Sequence, residues 1–185
     1  LKVSVLEEGV HSGDASGVVP SSFRLLRQLL SRLEDETTGS IRVDGLFTEI
    51  PEQRVAQAKR AAEVLDTAIF DKFPLLPGMT QMHSELAELV LNRTWRPALS
   101  VTGVDGIPSL ADAGNVLRPH TAVKLSLRLP PTLDGEAAGA VLTDLLLRAP
   151  PNGARVAFAL ENSAPGWLAP PSAPWLTRAI DCSIR

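Results

Sequence analysis

Hydrophobic and polar positions change period several times along the chain, and each change marks an element. Leu1, Val3 and Val5 alternate with Lys2 and Ser4 over residues 1–6, the period of two of a strand with one covered face. After Pro20 the period lengthens. Leu25, Leu26, Leu29, Leu30 and Leu33 fall on one stripe with Arg24, Arg27, Gln28 and Arg32 opposite, which predicts a core-facing helix ending near Leu33. Pro20 is expected at the first helical position, where a missing N–H costs no hydrogen bond. Residues 34–39 break the pattern, and 41–50 give a short apolar stretch containing Gly45, Leu46 and Phe47.

Residues 51–92 read as a helical insertion: Val55, Ala58, Ala62, Leu65 and Ile69 share one face, 74–78 break it, and Leu86, Leu89 and Val90 imply another short helix. Strand alternation returns with Leu99 and Val101 before the turn Gly103-Val104-Asp105-Gly106. It is clearest over Ala122 to Leu129, where Val123, Leu125, Leu127 and Leu129 oppose Ala122, Lys124, Ser126 and Arg128. Pro130 and Pro131 stop that strand. Asp134 suits the N-cap of a helix carrying Leu142 and Leu146, Arg155 to Glu161 reads as the last strand, and a Pro-rich tail with Trp167 and Trp175 follows.

This order predicts an α+β fold, a ferredoxin-like β-α-β-β-α-β sandwich: a four-stranded antiparallel sheet of order 4-1-3-2, two helices on one face, and a helical insertion over about 51–92. Residues 1–162 form the domain and 163–185 the tail. The second strand, residues 98–103, becomes a sheet edge with unpaired backbone groups. Together with the helix over 21–33 it is the expected surface of a homodimer.

Composition narrows the function. With 185 residues, 44% hydrophobic and 21% charged, the chain can bury one sizeable core. A formal charge of -3 gives no footprint for nucleic acid or an anionic membrane, so neither is expected as a partner. The single cysteine, Cys182, precludes a disulfide framework within one chain and fits a reducing, cytoplasmic setting. No apolar run approaches the roughly 20 residues of a membrane-spanning helix. The start inside a strand pattern suggests a piece of something longer.

Candidate chemistry centres on residues 9–20, where His11 sits between Gly9 and Gly13 at the junction of strand and helix. On chemistry alone such a histidine reads as a turn residue bonded to backbone. The neighbours Glu7 and Glu8 point to opposite faces of a strand and cannot converge on one ion. His11, His83 and His120 are the only histidines, scattered and without a His-x-Asp pair, so no metal site is expected in this chain.

Several pieces then fall in one order: His11-Ser12-Gly13 after the first strand, Pro20, Gly45-Leu46-Phe47, Trp95-Arg96-Pro97, a strand ending Gly-Val-Asp-Gly, Asn115-Val116-Leu117, and Arg128 thirteen residues after Asn115. In this the chain resembles the lid, or dimerisation, domain of the zinc metallopeptidases that include carnosinase, carboxypeptidase G, succinyl-diaminopimelate desuccinylase and acetylornithine deacetylase. The carnosinase-like dipeptidases are the nearest group.

The resemblance implies a catalytic role for His11, reaching into the partner subunit's site to stabilise the oxyanion formed when an amide is attacked. It implies that Arg128 binds the terminal carboxylate of a peptide or N-acyl amino acid, with Asn115 adding a polar contact. It also implies two zinc ions in a catalytic domain absent from this chain, so the isolated chain is expected to be inactive. The family's proline three residues after the Asn is Arg118 here, with Pro119 following, and its Gly-Gly is Gly106-Ile107. A different class of function stands beside this one: a stand-alone ferredoxin-like module that binds a regulatory small molecule or serves oligomerisation.

Overall fold

The long alternating strand at residues 120–128 becomes the second strand of a sheet that brings the start and the end of the domain together. A computed structural model of the chain describes residues 1–164, 166–170 and 173–183. Its strands β1 (Lys2–Ser4), β3 (Ala98–Asp105), β5 (His120–Arg128) and β6 (Arg155–Ala157) lie in the order β3-β5-β1-β6. All neighbours are antiparallel. Counted over these four strands alone, this is the expected order 4-1-3-2. A separate two-stranded ribbon joins β2 (Val10–His11) to β4 (Val116–Leu117).

Between the strands run α1 (Ser12–Ala15), α2 (Ser22–Leu33), α3 (Glu52–Leu65), α4 (Ala68–Asp71), α5 (Leu86–Thr94), α6 (Gly135–Leu147) and α7 (Pro174–Ser183). The leucine stripe of α2 does what its spacing requires. Leu25, Leu26 and Leu29 are buried with Val3 and Val123 of the sheet and Leu146 of α6. Leu33 joins Ile41, Leu46, Ala138 and Leu142 in the adjoining cluster. Each fully buried leucine contributes about 1.5–3 kcal/mol relative to an exposed one, so this stripe is committed to the core.

Helices therefore cover the face of β5 that carries Val123, Leu125 and Leu127. The other face, carrying Lys2, Lys124, Arg128 and Arg155, is open, and all four side chains are exposed. The insertion builds its own small centre, in which Ala58 of α3, Leu91 of α5 and Trp95 are buried together.

Local boundaries depart from the sequence reading in ways that pairing explains. Pro20 lies ahead of the helix rather than opening it, because the Ser21 carbonyl accepts the first helical bond from Leu25 N–H and Ser21 is the cap. Strand β6 stops at Ala157 instead of reaching Glu161: its partner is β1, whose Lys2 lies opposite Ala157. Strand β3 runs on to Asp105 through an irregularity between Val101 and Gly103, where Thr102 is the extra residue. The tail holds α7, which its prolines gave no reason to expect.

Candidate functional site

The stretch around His11 folds as strand, cap and short helix rather than as a simple turn. Val10 and His11 pair with Leu117 and Val116, and Ser12 N–H donates to the Asn115 carbonyl at 2.9 Å. His11 then caps α1: its Nδ1 accepts from Gly13 N–H at 3.2 Å. Glycine at 13 is needed for that approach, since a Cβ there would lie 2.8 Å from the imidazole Cε1. A ring nitrogen that accepts leaves the proton of neutral imidazole on Nε2, which makes the outer edge of His11 a donor. The side chain is 62% exposed, so that donor faces outward, and Asp14 Oδ2 at 3.9 Å from Nδ1 is beyond hydrogen-bond range.

Asn115 is also exposed, one residue from the ribbon and bonded through its carbonyl to the residue after His11. The fold thus brings together two of the three expected site residues. The third lies elsewhere. Arg128 ends the nine-residue strand β5, which starts at His120, while the ribbon lies beyond the His120 end. Eight extended steps at about 3.3 Å put Arg128 roughly 25 Å from that end.

Arg128 is exposed on the open face and, with Lys124 and Ser126, borders a groove of about 620 Å³ whose walls are mostly apolar, among them Leu99, Leu127 and Leu142. Among the described residues its guanidinium forms no ion pair; the nearby carboxylate of Glu161 is taken by Lys124, Nζ to Oε2 2.6 Å. That hydrogen bond holds the Glu161 carboxyl below the usual carboxylate range. A permanently charged, planar fork is therefore left without a carboxylate partner among the described residues, and such a fork suits a carboxylate.

Among the described residues no three His, Cys, Asp or Glu side chains come together. His83 Nδ1 accepts from Glu85 N–H at 3.0 Å, and His120 lies under the turn at Gly106. Sequence reasoning missed the ribbon that joins His11 to Asn115. The only available signal was a pair of valines, Val10 and Val116, at the flanks of the two polar residues.

A family model described as a peptidase dimerisation domain, M20_dimer, matches residues 1–154. The chain belongs to this M20 family. Among curated proteins, the dimerisation domain is 28% identical over 152 residues to the cysteinylglycine-S-conjugate dipeptidase of Corynebacterium striatum, covering 81% of this chain and 31% of that one. It is 27% identical over 127 residues to the Cys-Gly metallodipeptidase DUG1 of Saccharomyces cerevisiae, covering 69% and 26%. The chain thus spans about a third or less of these relatives.

Among solved structures, human carnosine dipeptidase 1 superposes with a TM-score of 0.71 at 20% identity, over 98% of this chain and 40% of that chain. The di-peptidase Dug1p of Saccharomyces cerevisiae gives 0.59 at 25% identity, over 76% and 29%. The M20 metallo-carboxypeptidase Sso-CP2 of Sulfolobus solfataricus gives 0.59 at 20% identity, over 79% and 37%. The match over residues 1–154 is accordingly to the dimerisation domain of the M20 peptidases.

Proposed function

We propose that the domain, residues 1–162, is the lid of a cytoplasmic, two-zinc dipeptidase acting on dipeptides or N-acyl amino acids, with 163–185 leading back to the metal-binding part of the parent. His11 donates to the oxyanion formed in a partner subunit's site, Asn115 adds a polar contact there, and Arg128 holds the substrate carboxylate in its own subunit's site. The chain alone is inactive. What supports this reading is the length of β5, whose nine residues, extending roughly 25 Å, stand between the His11–Asn115 ribbon and Arg128. A dipeptide spans only about 7 Å fully extended, so one substrate meets all three residues only if two copies supply them.

The edge strand supports a homodimer through residues 98–103 and the helix over 21–33. Leu1 and Val123 exchange both backbone bonds, Leu1 N to Val123 O at 3.0 Å and Val123 N to Leu1 O at 2.8 Å, so Val123 points toward β1. By strand alternation Ser126 points toward β3, and Ser100, which lies opposite it, points back. The outward groups on β3 are then those of Leu99 and Val101. Val101 is also 48% exposed.

In the parent, Val101→Pro removes an outward donor and is expected to turn the dimer into a monomer with its fold intact and its turnover strongly reduced, read by sedimentation and a dipeptide assay. Ser100→Pro should instead damage the sheet itself. A monomeric V101P enzyme with full turnover would overturn the shared site, and an unchanged dimer would overturn the proposed edge.

A further inference from the structure

The departure at Arg118 has a structural counterpart. Residues 106–118 leave the end of β3 and return at β4, and this loop has little packing of its own: Ile107 and residues 109–114 are exposed, with Leu110 at 97%. Its internal bonds are local, such as Ser109 Oγ to Asp112 Oδ2 at 2.6 Å and Val116 N to Gly114 O at 2.8 Å. Across its base runs the half-buried Arg118, whose Nε–H donates to the Gly106 carbonyl at 2.9 Å.

Gly106 is a fixed point. It has φ +83°, and a Cβ there would lie 2.5 Å from the His120 carbonyl oxygen, so the turn rests directly on the first residue of β5. The other end is fixed as well. The Arg118 carbonyl accepts from Ser22 Oγ at 3.3 Å, and that hydroxyl is 2.8 Å from Thr121 Oγ1 in a buried pair. A proline at 118 would stiffen a single backbone angle, whereas arginine ties the two ends of the loop together.

We propose that Arg118 is a positioning residue. It latches the 106–118 loop to the sheet, and thereby holds the ribbon of His11, Val116 and Asn115 so that His11 Nε2 is presented at a fixed place. The latch spans twelve residues and adds a direct tie to ends that the pairing of Asp105 with Ala122 and the Ser22 bond to the Arg118 carbonyl already place, leaving the ribbon side to the two-residue pairing of β2 with β4. The proposal rests on the reading that His11 acts in catalysis, and its test separates the two.

In the full-length parent, Arg118→Ala is expected to lower kcat by about tenfold with little change in KM. Adding the same change to His11→Ala should cost less than about twofold, because no donor remains to be positioned. An equal loss in both backgrounds, or no loss in either, overturns the positioning role. Hydrogen exchange reads the latch without reference to catalysis: R118A should speed exchange of the hydrogen-bonded amides of Ser12, Asp112 and Val116 by about tenfold or more, with other strands unchanged. If His11→Ala leaves kcat intact, the catalytic reading fails and the positioning role with it, while exchange still tests the latch. Unchanged exchange in R118A overturns the latch itself.

Discussion

Replacing His11 by alanine in the parent enzyme should lower kcat by about a hundredfold or more and leave KM nearly unchanged. The expectation comes from where the charge appears. A ground-state amide carbonyl carries little negative charge, but the tetrahedral species formed on attack carries a full one, so a donor aimed at that oxygen contributes mainly in the transition state. Loss of one such donor costs on the order of 10²–10³ in rate. The geometry of His11 is compatible with that role: Gly13 N–H occupies Nδ1, which leaves Nε2–H of the neutral ring facing outward from an exposed cap. Steady-state kinetics on a dipeptide separates the outcomes. A rise in KM with kcat retained would place His11 in ground-state binding instead.

Replacing Arg128 by alanine should act in the opposite column, raising KM by about ten- to a hundredfold for substrates with a free C-terminal carboxylate. A hydrogen bond to a charged group is worth about 1.5–3 kcal/mol, and each 1.4 kcal/mol is a factor of ten. The same variant should discriminate little between wild type and mutant on C-terminally amidated substrates, which have no carboxylate to hold. Arg128→Lys should recover only part of the loss, since an ammonium cannot supply two parallel donors. The placement supports this reading: Arg128 stands free on the open face while Lys124 alone meets Glu161. An equal KM effect on amidated substrates would remove the carboxylate from its role.

The core and topology of this domain were legible because long elements repeat their period often enough to be unambiguous. The stripe Leu25 to Leu33 and the alternation Val123 to Leu127 each settle both an element and the face it buries. Short elements carry no such signal. Strands β2 and β4 are two residues each and α1 is four, so neither a period of two nor one of 3.6 can be read from them. Their pairing is tertiary, fixed by the path of β1 and β5, and it is this pairing that joins His11 to Asn115.

The candidate residues came from the resemblance, without their arrangement. The resemblance pointed to His11, Asn115 and Arg128, while the strand length that holds Arg128 apart from the other two needs the sheet. Arg118 stood out only as a departure from an expected proline, and its bond to Gly106 depends on a turn conformation that no local pattern encodes.

The division of one site between two subunits is tested most directly by mixing two variants of the parent, His11→Ala and Arg128→Ala, each impaired alone. If Arg128 of one subunit and His11 of the other serve the same substrate, the mixed dimer holds one site with both residues intact and one with neither. After subunit exchange has been demonstrated, activity should rise well above that of either variant, with each mixed dimer reaching about half the wild-type dimer's turnover. If both residues serve a site within their own subunit, every site in the mixture carries one lesion. Activity would then stay at the average of the two variants, and the shared site would be contradicted.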